Sequence, residues 1–205
     1  MKKYTTFFLI FALILSMAGC RTTVPGNSDP SASQTPSTNQ SVPSGQTQAN
    51  SAQEILTAIW NKYPASERFS VYGGMVNNSV DNAPGNLDLT FKDEIMSKYL
   101  IPEDRLSQVQ EGASLVHLMN SNLFTAAVFR LNAGVSAQDF AKAVREALQK
   151  NRWLCGQPDK LLITQPQSDY VLISFGSEDV MNSFTTYSQQ AFPQSTTFHS
   201  EAIVA

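Results

Sequence analysis

Ser114-Leu-Val-His-Leu-Met119, then Asn120-Ser-Asn122, then Leu123-Phe-Thr-Ala-Ala-Val-Phe-Arg-Leu131: the fold turns on how this stretch is read. Two apolar, β-prone runs flank three small polar residues, and that pattern reads as an antiparallel hairpin. A helix follows. Ser136 with Asp139 marks its start, and Phe140, Val144, Ala147 and Leu148 recur at helical spacing to about Lys150.

The same order returns downstream. Lys160–Thr164 and Tyr170–Phe175 are two further strand candidates, joined around Pro166-Gln167-Ser168-Asp169. Ser177 opens a last helix, with Glu178 and Asp179 in its first turn and Val180, Phe184, Tyr187 and Ala191 on one face. Hairpin–helix therefore occurs twice, without residue identity between the copies. The expected class is α+β: a single domain with one antiparallel sheet of about four strands and helices packed on one face.

Upstream of the hairpin, Ser51 and Glu54 form a capping-box pair before the helical stripe Ile55, Leu56, Ile59, Trp60, Tyr63, and Pro64 ends that helix. Residues 65–90 are rich in Gly, Asn, Asp and Pro and read as a long loop with at most one short strand. Ordered loops of that length are often functional. Phe91–Tyr99 reads as a short helix, and Pro102-Glu103-Asp104 starts another turn or two. The tail from Pro193 to Ala205 is open between two readings: Ala202-Ile203-Val204 adds a strand or frays.

The N-terminus carries an address. Lys2 and Lys3 precede an apolar run from Phe7 to Leu15, then Ser16-Met17-Ala18-Gly19-Cys20. A charged start, a short apolar stretch and small residues describe an export signal over residues 1–19. The run is about half of the roughly 20 residues that a membrane-spanning helix needs. Its ending resembles the lipobox of bacterial lipoproteins, with Met17 where leucine is usual. That resemblance implies that Cys20 is lipidated and becomes the N-terminus, anchored at the outer face of the cytoplasmic membrane; two acyl chains anchor stably. Residues 20–50 are then the lipidated end and a disordered Ser/Thr/Pro/Gln-rich tether, too poor in apolar side chains to offset the entropy of ordering. The globular domain is expected over 51–205.

Charge and cysteine usage narrow the function classes. Without Lys2 and Lys3 the 14 basic residues fall to 12, against 17 acidic ones, a formal charge of −5. That balance opposes nucleic acid, where lysine and arginine must neutralise phosphates. With Cys20 lipidated, Cys155 has no partner for an internal disulfide. A catalytic thiol needs a nearby base. The two histidines, His117 and His199, lie in a strand candidate and in the tail, outside any catalytic motif. Cys155 follows a helix rather than opening one, so burial as a small apolar residue is the expectation for it. Asp81 and Asp88 are the only calcium candidates, at a spacing that matches no calcium loop. The acidic pairs Asp93-Glu94, Glu103-Asp104 and Glu178-Asp179 each fall in a first helical turn, where the helix dipole accounts for them. No phosphate-binding glycine motif, GxSxG elbow or HExxH occurs. Tyr72, Trp153 and Tyr187 are candidates for stacking on sugars, with packing the plainer role for each.

From about Phe91 to Phe192 the chain resembles a family of lipoproteins from Gram-positive anaerobes known only as a domain of unknown function. The resemblance rests on Tyr99-Leu100-Ile101-Pro102, the Ala126–Leu131 strand, the helix with Phe140 and Val144, Trp153 with Cys155, and Tyr170-Val171-Leu172. At Leu123-Phe124-Thr125 the chain departs from the acidic residue usual there. The resemblance implies an exported lipoprotein and no catalytic residue, cofactor or metal. The leading expectation is a non-enzymatic module that binds a protein or glycan of the envelope. A small-ligand or wall-glycan binder working through residues 65–90 is the second expectation, and a thiol-dependent enzyme using Cys155 the third.

Overall fold

The computed structural model describes residues 48–204. Four helices, α1 (Ala52–Trp60), α2 (Lys92–Tyr99), α3 (Ala137–Lys150) and α4 (Glu178–Ala191), accompany eight strands. The strands are β1 (Val71–Met75), β2 (Asn78–Asp81), β3 (Gly85–Asn86), β4 (Val109–His117), β5 (Phe124–Leu131), β6 (Lys160–Gln167), β7 (Tyr170–Gly176) and β8 (Thr196–Ala202). They form one antiparallel sheet in the order β2-β1-β4-β5-β7-β6-β8, and β3 pairs with β4 beside β1. The α+β class and the two hairpins, β4–β5 and β6–β7, stand as expected.

The sheet has twice the expected strands, and each addition has a physical cause. Residues 71–86, expected as loop, form β1–β3. Their glycines and asparagines permit close backbone approach and a tight reversal, with Asn82 at φ +55° and its N–H bonded to Val71 O at 2.8 Å. Gln53 Nε2 donates to Pro84 O (2.9 Å) and Trp60 Nε1 to Asn82 O (3.2 Å), so α1 holds this segment down. The tail is ordered as β8, whose polar Thr-Thr-Phe-His-Ser-Glu-Ala sequence suits an edge strand along β6.

The helices lie on both faces of the sheet, not on one. Phe124, Ala126, Val128 and Leu172 join α1 and α4 in one core layer, while Ala127, Phe129, Val171 and Ile173 join α2 and α3 in the other. Connection geometry explains the split. Through α3 the chain steps from β5 over β7 to β6; through α4 it steps from β7 over β6 to β8. Both steps go in the same direction, yet β5 and β7 run antiparallel. Two crossovers of the same hand must then pass over opposite faces, and the right-handed form is the strongly preferred one. The continuous apolar runs of β5 and β7, buried along nearly their whole length, fit a sheet covered on both sides.

Ala49 and Asn50, just before the expected boundary at residue 51, are already tied to the sheet. Ala49 is 6% exposed. The Gln167 side chain accepts from its N–H (2.8 Å) and donates to its carbonyl (2.9 Å), while Tyr170 OH donates to Asn50 O (3.0 Å). Ser51 caps α1 by accepting from Glu54 N (3.2 Å). The export signal, Cys20 and the rest of the expected tether lie outside the described residues.

Candidate functional site

An open groove of about 970 Å³ runs where α2, the β4–β5 turn and the connection from α3 to β6 converge. Each wall has a local origin. In the turn, Asn122 N–H bonds Asn120 Oδ1 (2.8 Å) and Leu123 N–H bonds Asn120 O (3.0 Å), an arrangement that asparagine side chains supply readily. Asn122 Nδ2 then donates to Gly156 O (2.6 Å), tying the turn to the 154–156 loop, where Gly156 takes φ +97°.

The groove's rim is apolar in an unusual way. Leu118 is 54% exposed, Met119 81% and Leu154 94%. Below them Trp153 packs on Phe175 at 5.3 Å between ring centroids. Isolated exposed apolar residues are common; here three stand around one concavity. On the α2 wall the Lys98 ammonium sits 4.7 Å from the centre of the Tyr72 ring, 5.5 Å from that of Tyr99 and 3.3 Å from Glu94 Oε1. Burial opposes its charge, but Tyr99, Tyr72 and Glu94 outweigh that effect and raise its pKa above the usual value. Lys98 is thus a cation held in place at the groove wall.

His117 and Cys155 both line this groove. His117 stacks on Phe69 (5.4 Å, 16°) and its Nδ1 accepts the Met119 N–H at 3.2 Å, which fixes the ring against its own turn. Cys155 is exposed rather than buried, because the loop after α3 carries it out beside Leu154. Among the described residues no hydrogen bond joins the two, and Cys155 follows α3 rather than opening a helix.

The other candidates lie apart. Asp88 is engaged by Thr90, whose hydroxyl (2.6 Å) and N–H (2.9 Å) donate to Oδ1 and lower its pKa, the hydroxyl first. Asp81 sits on exposed β2. Among the described residues no three His, Cys, Asp or Glu side chains converge to hold a metal ion. The acidic pairs do fall in first helical turns, where Glu94 pairs with Lys98, Asp104 with Arg105 (3.3 Å) and Glu178 with Lys160 (2.6 Å). Tyr187 donates to Glu67 Oε2 (2.8 Å) and packs on Tyr63. His199 lies on β8, on another part of the sheet.

The sequence signal for the groove was present but easily passed over. Leu118 and Met119 are apolar at the position where a strand gives way to a turn, and Leu154 is apolar inside a loop. Lys98 offered no signal, since its aromatic neighbours come from β1 and from its own helix.

Fold and groove together define an α+β domain with a sheet covered on both faces and an apolar-rimmed surface groove. No family model, curated protein or solved structure matches the chain.

Proposed function

We propose that the chain is an exported lipoprotein, anchored through Cys20 at the outer face of the cytoplasmic membrane, and that its domain is a binding module for an envelope protein. The observation that carries the binding role is the groove rim, where Leu118, Met119 and Leu154 stand exposed over the Trp153–Phe175 pair. Burying three such side chains against a partner would stabilise a complex by roughly 1.5–3 kcal/mol each before the cost of association. The lipobox-like ending Ser16-Met17-Ala18-Gly19-Cys20 and the resemblance to uncharacterised lipoproteins support the location. The thiol-enzyme reading has the weaker support, because no hydrogen bond joins Cys155 to His117, whose Nδ1 is engaged by the Met119 N–H.

Photo-cross-linking in living cells tests this. A photoreactive residue at Met119 or Leu154 should yield the same single adduct, absent when the residue is placed at exposed Thr186 on α4. Met119→Glu with Leu154→Glu should remove the adduct formed from a probe at Leu118. Indistinguishable adducts from groove and α4 positions would sink the proposal.

A further inference from the structure

Among the described residues five carry sulfur: Met75, Met96, Met119, Cys155 and Met181. Met75 (2% exposed) and Met181 (1%) are core side chains, one in each layer beside the sheet. The other three line the groove. Met96 is half-buried on α2, Met119 is 81% exposed at the β4–β5 turn, and Cys155 is exposed on the 154–156 loop. The sulfur-bearing side chains that solutes can reach thus gather on the surface assigned to a partner.

Met119 is placed so that a change at its sulfur alters the surface and not the fold. It belongs to neither core layer. Its N–H is held by His117 Nδ1 at 3.2 Å. The turn beside it is fastened to the 154–156 loop, where Asn120 Nδ2 donates to Cys155 O (3.5 Å) and Asn122 Nδ2 to Gly156 O (2.6 Å). Backbone and turn are thus fixed while the side chain projects, with Leu118 and Leu154 on the same rim. A thioether is apolar and unbranched, so it adapts to an apolar partner. Its sulfoxide is polar, and burying that group against apolar atoms is costly.

We propose that Met119 is a peroxide-responsive modification site and that its oxidation releases the partner held in the groove. The inference rests on the partner reading and adds a control to it. The step balances with hydrogen peroxide as oxidant. The thioether sulfur takes one oxygen, the O–O bond breaks, and the other oxygen leaves with both protons as water. Sulfur is oxidised by two electrons and the peroxide is reduced by two. Methionine sulfoxide is returned to methionine by sulfoxide reductases, so the change is reversible. Full burial of one methionine side chain is worth roughly tenfold or more in affinity. Losing that single contact therefore moves a partner from bound to free when its concentration is near the dissociation constant.

The full-length chain is treated with hydrogen peroxide, and sulfoxide at each methionine is followed by mass spectrometry. Met119 should oxidise at least about tenfold faster than Met75 and Met181, in line with exposures of 81% against 2% and 1%. The melting temperature should stay unchanged when Met119 alone is oxidised. In cells, peroxide should lower the adduct formed from a photoreactive residue at Leu118 by about tenfold. Met119→Leu conserves volume and removes the oxidisable sulfur, so it should keep the adduct through the same treatment. Cys155→Ser should still lose it. Met119→Gln, polar and of similar length, should lower the adduct without peroxide. An adduct that persists while Met119 is oxidised would overturn the proposal and leave the partner reading standing. So would a loss shared by Met119→Leu, which places the sensitivity elsewhere, or oxidation of Met119 no faster than that of Met75. No adduct from any groove position in untreated cells would remove both readings.

Discussion

Where β1 passes β3, a glycine faces a glycine. A Cβ on Gly73 would lie 2.0 Å from Gly85 N and 2.6 Å from Ala83 O, both of them backbone atoms that cannot swing aside. Beside them Ser114 Oγ accepts from Gly74 N (3.0 Å) and donates to Gly74 O (3.3 Å), and the Tyr99 hydroxyl also reaches Gly74 O (3.5 Å). Gly73→Ala should therefore destabilise the domain at or beyond the roughly 3 kcal/mol that bounds ordinary point substitutions. Urea denaturation reads this directly, and a loss below about 1 kcal/mol would mean that β3 can lift away freely. The Tyr72-Gly73-Gly74-Met75 step looks like a turn in sequence, because a glycine demanded by a neighbouring backbone is indistinguishable from one demanded by its own dihedral angles. Cys155 shows the same gap. Its residue type favours burial, and only the path of the loop after α3 decides that it is exposed.

At the scale of elements, β8 is the strand whose attachment depends on pH. Arg145 on α3 donates through Nε and Nη2 to the two carboxylate oxygens of Glu201, with Gln149 Nε2 at 3.5 Å. The Arg145 hydrogen bond is the main cause that holds the Glu201 pKa below the usual carboxylate range. His199 is also pushed down, first by burial and then by Arg145, against an opposing pull from Glu201. For both groups the unfolded chain takes up a proton at higher pH than the folded one. Their stabilisation is complete above the unfolded values and is lost as pH falls through the folded ones. The loss starts near 6.5 for His199 and near 4.3 for Glu201. Side-chain exposures of 36% and 34% for the ion pair limit its contribution to about 1 kcal/mol or less. Glu201→Gln should therefore cost up to about 1 kcal/mol near neutral pH. The difference from the parent should shrink as pH falls through the lowered folded value of Glu201, once the parent carboxylate is protonated as well. An undiminished difference in acid, measured by denaturant titration, would assign the effect to packing instead.

For the whole molecule, the address and the domain are separate matters. Cys20→Ser should abolish incorporation of a labelled fatty acid and shift the protein from the membrane pellet to the soluble fraction. The melting temperature of the domain should not change, because Cys20 lies 29 residues before Ala49, which the Gln167 side chain holds through two hydrogen bonds. Retained labelling in the variant would refute anchoring through Cys20.

Local pattern was enough for several features: the α+β class, the β4–β5 and β6–β7 hairpins, the capped starts of α1 and α3, and the acidic first turns. Each rests on residues within one turn or one pair of strands, where spacing and side-chain chemistry act directly. Only the tertiary structure decided the rest. Helices on both faces follow from β8 joining beyond β6, which forces the α3 and α4 crossovers apart, and no short window of sequence encodes that partner choice. The 65–90 segment became strands because α1 supplies bonds to Asn82 and Pro84 from some 20 to 30 residues away. The groove arises in the same way, assembled from segments distant in the chain. Ser188 illustrates the boundary: its place in the α4 stripe is visible in sequence, but its burial to 7% exposure is set by what packs against the helix.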